Sequence, residues 1–258
     1  MRRVTRADHP ADPARSGSRL VPWVRVRAEP ARLNSAIAGR FVVGASCFAL
    51  GTIPAYVHAV GAAADATTFF VGSIFFTSAS YCQLVQAQSP GMTGVDERSQ
   101  HARVRARPTA WRPRDKGWLA AATQFPGTLF FNHSTFAALA HNLSATQADE
   151  HVWRPDFFGS VLFLVSSAFA ISALGGGSRR PRSRDLPSWI AWLNILGSVA
   201  FMVSAIAGFV VPSTDTVLDL PLGNAGTLIG AVCFLVAAAL MLPAWRAAVR
   251  SRGARPAK

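Results

Sequence analysis

Positive charge in this chain is confined to alternate segments between long apolar runs, and this segregation limits the folds open to the sequence. The chain has 258 residues, of which half are hydrophobic, and its formal net charge is +13. A helix needs about 20 mainly apolar residues to cross the hydrocarbon core of a bilayer. The sequence therefore predicts an all-α integral membrane protein with six transmembrane helices. We place the spans at about 37–60, 66–87, 117–140, 157–174, 188–211 and 223–243.

The arginine and lysine residues predict the orientation of these spans. With six spans, 25 of the 26 basic residues fall on one side of the membrane, and Arg154 falls on the other. Cytoplasmic loops carry the excess of arginine and lysine in membrane proteins, so both termini are expected in the cytoplasm. The cytoplasmic segments are then 1–36, 88–116, 175–187 and 244–258.

The basic segments also indicate partners. Residues 1–36 are rich in Arg, Pro, Ala and Asp, and this composition predicts a disordered tail. Basic segments beside a membrane gain about 1 kcal/mol per cation from anionic lipid head groups, so we expect such lipids at the cytoplasmic loops. Because the charge is separated from the apolar runs, we favour lipid over nucleic acid as the partner. The preference for Arg over Lys and the abundant Ala are typical of GC-rich bacteria, which predicts a bacterial inner membrane.

A five-residue pattern, Gly-small-x-x-Phe, recurs once in each predicted span. Its glycines are Gly44, Gly72, Gly127, Gly159, Gly197 and Gly230. The residues seven and eight positions after each glycine are also small, and on a helix all these positions share one face. Each span is therefore predicted to carry a groove of small side chains from which one Phe projects. Such grooves allow close helix packing in lipid; the alternative is that the glycines line a solute path. Successive glycines pair at spacings that predict three tandem helical hairpins.

These hairpins resemble the YrhK-like membrane domain, in which similar patterns occur in paired apolar helices. The copies that carry the resemblance are Gly72-Ser73-Ile74-Phe75-Phe76 and Gly159-Ser160-Val161-Leu162-Phe163. The resemblance covers the hairpins and leaves out the basic loops and tails, and this chain has three hairpins in place of one. It implies an architecture of paired helices and implies no activity.

The third predicted span differs from the others in its polar residues. Gln124, Asn132 and His133 lie within it, and Pro126 is expected to weaken the helix close to Gln124. Many transporters build their sites from broken helices with polar side chains near the middle of the membrane. We therefore predict Gln124, Asn132 and His133 as the contacts of a small polar site. The alternative is that Asn132 and His133 bond to serines of neighbouring spans and serve helix packing alone.

Two function classes are compatible with these sequence features. The sequence contains no nucleophile elbow, phosphate loop, HExxH or CxxC motif, so it predicts no enzyme activity, cofactor or metal site. The first class is a carrier or channel for a small solute or ion. The second class is a non-transporting membrane scaffold, in which the grooves serve helix packing or assembly into a homo-oligomer.

Overall fold

Long helices dominate the fold. A computed structural model describes residues 27–89, 91–92, 101–107, 109–140, 142–174, 185–211, 213–214 and 216–253. The helices are α1 (Pro30–Gly51), α2 (Pro54–Val60), α3 (Ala62–Gln88), α4 (Lys116–Ala137), α5 (Ala145–Ala148), α6 (Arg154–Ala173), α7 (Leu186–Ala207) and α8 (Leu220–Gly253). Two short antiparallel pairs join β1 (Arg27–Ala28) to β2 (Val104–Arg105) and β3 (Val210–Val211) to β4 (Thr216–Val217).

Within the described residues, five helical segments are long and apolar enough to cross a membrane, which indicates an all-α membrane protein. They are Pro30–Gly51, Ala62–Gln88, Ala145–Ala173, Leu186–Ala207 and Leu220–Ser251. Large apolar side chains on their outward faces are exposed, among them Ile74 and Leu196. An apolar outer surface of this extent belongs in lipid rather than in water. Helix α4 also has 22 residues, but its polar side chains lower its mean hydropathy below that of these five segments.

The six long helices form a closed ring. Each packs against the next long helix along the chain, and α8 packs against α1. Neighbours run antiparallel: in the contact of α1 with α3, Phe41 meets Phe76, whereas the later Phe48 meets the earlier Phe69. The same reversal appears between α3 and α4, where Tyr81 meets Phe125 and Phe70 meets Phe136, and between α4 and α6, where Ser166 meets Ala120 and Phe130 meets Phe158. Between α6 and α7, Trp153 just before α6 meets Ala205 and Ser167 meets Ser198. Between α7 and α8, Ser204 meets Gly223 and Gly197 meets Gly230. Since the ring has six members, α8 is then antiparallel to α1 as well.

The first helix begins earlier and ends earlier than predicted. It starts at Pro30, inside the segment assigned to the tail, because a proline with its fixed φ suits the first turn of a helix. Ile37 and Ala38 are buried on its inner face. The predicted span 37–60 divides into α1 and α2 because Pro54 has no N–H to continue the hydrogen-bond ladder. Helix α8, by contrast, continues through Pro243 and extends ten residues beyond the predicted span.

The alternation of direction gives the bundle two different ends. We call the end that carries Arg27, Arg105, Lys116 and Arg246 the basic end, and the other the opposite end. At the basic end, part of the loop 88–116 folds back on α3. The backbone N–H of Arg107 donates to Ser89 Oγ at 2.8 Å, and a guanidinium N–H of Arg112 donates to the Ala87 carbonyl at 3.1 Å. The second bond satisfies a carbonyl at the end of α3 that no later helical N–H reaches, while Ser89 Oγ also donates to the Val85 carbonyl of that helix at 2.7 Å.

Candidate functional site

The motif glycines of successive helices lie against each other. The pairs are Gly44 with Gly72, Gly127 with Gly159, and Gly197 with Gly230. A Cβ atom placed on Gly44 would lie 2.9 Å from the carbonyl oxygen of Gly72. A Cβ on Gly197 would lie 3.1 Å from the carbonyl oxygen of Gly230, and a Cβ on Gly159 would lie 3.2 Å from that of Gly127. The backbones of each pair approach this closely because neither residue has a side chain.

The phenylalanine of every motif copy points into the ring, and the six rings meet on its axis. They are Phe48, Phe76, Phe131, Phe163, Phe201 and Phe234, and none is more than 9% exposed. The ring centroids of touching pairs are between 5.2 and 6.2 Å apart, mostly with one edge against a face. Such pairs contribute about 0.5–1.5 kcal/mol each beyond the area they bury. We call this group the phenylalanine cluster.

The phenylalanine cluster leaves a cavity of only about 20 Å³ at its centre. Besides the six rings, its lining consists of Ala45, Ser73, Thr128 and Ala231, which directly follow motif glycines. A cavity needs about 10–15 Å³ to hold one water molecule. The axis of the ring is therefore closed at this level to anything larger than a water molecule.

A second cavity, of about 70 Å³, lies between the phenylalanine cluster and the basic end. Three side-chain amides from three helices line it: Gln83 of α3, Gln124 of α4 and Asn194 of α7. The other described lining residues are apolar, and Phe76 and Phe234 border both cavities. We call this space the amide cavity.

The amides of this cavity have hydrogen-bonding capacity that the protein leaves unused. The Oε1 atom of Gln83 is buried without a hydrogen-bond partner among the described residues. Likewise, no described residue forms a hydrogen bond with the side-chain amide of Gln124 or Asn194. A buried polar atom without a partner costs about 1–3 kcal/mol. Each amide offers N–H donors and a carbonyl acceptor, so the amide cavity is suited to a ligand that supplies the missing bonds.

The cavity residues occupy related places in the repeated motif. Gln124 and Asn194 each lie three residues before their motif glycine, and Gln83 lies eleven residues after its own. The sequence predicted Gln124 as a contact but did not single out Asn194 or Gln83 for this site. The signal for Asn194 was present, because it shares the offset of Gln124 from a motif glycine. Comparison of the six copies at that offset would have found it.

The structure does not bring the three predicted contacts together. Gln124 lines the amide cavity, but Asn132 follows it by eight residues, about 12 Å along a helix. This distance places Asn132 outside the amide cavity, next to Phe131 of the phenylalanine cluster, and its buried Oδ1 has no partner among the described residues. His133 is exposed, and its ring centroid is 6.0 Å from that of His151. Helix α4 runs through Pro126 without a break.

Hydroxyl groups connect helices that belong to different glycine pairs. Thr135, eight residues after its motif glycine, donates from Oγ1 to Ser73 Oγ at 2.9 Å. Ser160 has the same place in its copy as Ser73, and the residue in the place of Thr135 on the helix beside it is Ala205. Ser160 Oγ is buried without a hydrogen-bond partner in the described structure. The missing hydroxyl at residue 205 accounts for this unpaired serine.

Comparisons with known proteins identify no relative of this chain. No family model, no curated protein and no solved structure matches the chain.

Proposed function

We propose that α4 is a sixth span and that the ring consists of three antiparallel helical hairpins. Helix α4 is long enough to cross the bilayer and packs between α3 and α6, both of which are of membrane length. Its outward residues Leu129, Phe130 and Phe136 are large, apolar and exposed, as lipid-facing residues are. Its polar residues Thr128 and Thr135 are buried on the inner face. Mean hydropathy counts inward and outward residues alike, so it understates the suitability of α4 for lipid.

We place the basic end on the cytoplasmic side of a bacterial inner membrane, with both termini inside. Excess arginine and lysine mark cytoplasmic segments, and the one basic residue assigned to the opposite end, Arg154, is paired with Asp149 at 2.8 Å. Reporter fusions after Met92 and after Ala140 test both the sixth span and the orientation. We expect cytoplasmic activity for the first fusion and periplasmic activity for the second. Two fusions on the same side of the membrane would exclude α4 as a span.

The proposed function is a carrier or gated channel for a small polar solute, with the amide cavity as the solute site. The observation that supports this proposal is the convergence of three amides on one cavity inside the ring, at a depth within the spans. Polar side chains inside a membrane are costly and commonly mark solute paths. Side chains that served helix packing alone would be expected to bond to one another, and the amide of Gln83 is left unpaired.

The phenylalanine cluster is the barrier of this proposed path. It closes the axis on the side of the amide cavity that faces the opposite end. Phe76 and Phe234 form the wall between the two cavities, so a solute in the amide cavity passes only if these rings move. Because this side is closed, we propose that the site exchanges solute with the cytoplasmic side before the barrier opens.

Solute flux into proteoliposomes tests this function. Vesicles with the wild-type protein, vesicles with variants and empty vesicles are mixed with acetamide, glycerol or potassium chloride, and volume recovery is followed by light scattering. We expect at least one of these solutes to enter wild-type vesicles faster than empty ones. Gln124→Met and Asn194→Leu, which keep side-chain length and remove an amide, should abolish most of that difference.

The matched control is Thr123→Val. Thr123 adjoins Gln124 on α4, donates only to the Leu119 carbonyl of its own helix at 2.8 Å, and does not line the cavity. This variant should transport as the wild type does. If none of the three solutes enters wild-type vesicles faster than empty ones, the scaffold function is the better account. The glycine contacts and the phenylalanine cluster suit that function as well.

A further inference from the structure

We infer that the amide cavity selects small uncharged molecules that donate hydrogen bonds, such as short primary amides. The inference rests on the proposed function, because it names the solute class of the same site. Three features of the cavity support it: an unpaired acceptor, a lining without charge, and a restricted volume.

The unpaired acceptor is the Oε1 atom of Gln83. Gln83 lines the cavity, and its Oε1 atom has almost no accessible surface and receives no hydrogen bond from any described residue. When the Gln83 amide rotates so that Oε1 faces the cavity, a ligand that carries an N–H or O–H group can satisfy it, whereas a ligand with acceptors alone leaves it unpaired. Sites that contain buried polar groups discriminate strongly against analogues that lack the matching group. The bound molecule should therefore be a hydrogen-bond donor.

Among the described residues, the lining offers no counter-charge. All described residues around the amide cavity are amides or apolar side chains, and Phe76 and Phe234 cover the side toward the barrier. An ion that entered would lose its hydration shell without gaining an opposite charge, which strongly disfavours binding in a low-dielectric site. An uncharged amide loses much less on leaving water and recovers its hydrogen bonds from Gln124 and Asn194. The geometry thus favours uncharged solutes over cations and anions.

The volume limits the size of the solute. Since one water molecule needs about 10–15 Å³ of such space, a cavity of about 70 Å³ accepts several water-sized groups. A planar molecule with four non-hydrogen atoms, such as acetamide or urea, meets this limit. A hexose or an amino acid with a side chain exceeds it.

Five probes of nearly equal size and shape separate these features. Acetamide and urea donate and accept hydrogen bonds, acetone accepts only, acetate carries a negative charge, and guanidinium carries a positive one. Binding of radiolabelled acetamide to the purified full-length protein is measured by equilibrium dialysis in detergent, with the other four probes as competitors. We expect saturable binding, competition by urea, competition about tenfold or more weaker from acetone because one hydrogen bond is lost, and none from acetate or guanidinium.

Variants test whether the preference for acetamide over acetone depends on the Oε1 atom of Gln83. Gln83→Met removes Oε1 and nearly preserves volume, so acetone should compete with acetamide almost equally well in this variant. Thr123→Val should retain the wild-type order of probes. If Gln83→Met does not fold, Asn194→Leu takes its place, with weaker acetamide binding as the expected result.

The outcomes separate this inference from the proposed function. Absence of saturable acetamide binding, equal competition by acetate or guanidinium, or an unchanged probe order in Gln83→Met would overturn the inference. Flux of glycerol or potassium chloride through wild-type vesicles would then still support a solute path. If acetamide binds saturably but no solute crosses the membrane, the inferred binding preference stands and the proposed transport function is wrong.

Discussion

The contact between Gly44 and Gly72 leads to a prediction that opposes helix propensity. Replacement of a helical glycine by alanine normally stabilises a helix by about 0.5–1 kcal/mol. In Gly44→Ala the new Cβ would lie 2.9 Å from the Gly72 carbonyl oxygen and 2.8 Å from a ring carbon of Phe76. Ordinary contacts begin near 3.4 Å, so the two helices must separate by about 0.5 Å. Overpacking of this kind costs about 1–3 kcal/mol.

The net expectation for Gly44→Ala is a loss of about 1–2 kcal/mol in the free energy of unfolding. For a chain of this size that corresponds to a fall of about 3–6 °C in the melting temperature. A thiol-reactive dye can follow unfolding in detergent, because Cys233 is buried and Cys47 is half-buried in the folded bundle. The dye signal should appear at a lower temperature for this variant than for the wild type.

Two other glycines calibrate the measurement. A Cβ on Gly39 meets nothing within 4 Å, so Gly39→Ala should raise the melting temperature by about 2 °C through helix propensity alone. A Cβ on Gly159 would approach the Gly127 carbonyl oxygen at 3.2 Å, so Gly159→Ala should fall between the other two variants. A melting temperature for Gly44→Ala at or above that of Gly39→Ala would refute close backbone approach as the role of the motif glycine.

Three further predictions follow from the interior of the ring. Ser167 and Ser198 place their hydroxyl oxygens 2.9 Å apart between α6 and α7, so a double-mutant cycle of the two alanine variants in detergent should give a coupling of about 0.6 kcal/mol. Ala205→Ser should supply a partner to Ser160 and raise the melting temperature, and an unchanged or lower value would show that the two residues do not meet. Phe76→Ala should cost about 3–5 kcal/mol of stability and, because Phe76 borders both cavities, should accelerate solute flux in the fraction that folds; slower flux would contradict its place in the barrier.

The sequence was most informative about features that lie within one helix. Long apolar runs identify membrane-length helices because the bilayer sets their length, and the prediction of an all-α membrane protein is confirmed at that level. The inward direction of residues such as Ser73, directly after a motif glycine, was not predicted, because the predicted face contained only the glycine, the phenylalanine and the residues seven and eight positions after the glycine.

Features that join different helices could not be obtained in this way. The amide cavity needs Gln83, Gln124 and Asn194 at one level of a closed ring, and no periodicity within a span shows which helices become neighbours. Closure of α8 on α1 links the two ends of the described chain and has no local signature. Asn132 and His133 were grouped with Gln124 because they share a span, whereas the structure separates them along the axis and by exposure.

Chemical labelling of position 194 tests the central claim, that a solute site on the ring axis opens toward the cytoplasm and is closed from the other side. The Asn194→Cys variant, made after replacement of the three native cysteines by alanine, is exposed in sealed vesicles to iodoacetamide, a small uncharged thiol reagent, while glutathione held on one side of the membrane at a time destroys the reagent on that side. We expect labelling from the cytoplasmic side only, at a rate that acetamide lowers. Equal labelling from the periplasmic side, or no labelling until the protein is unfolded, would contradict the account.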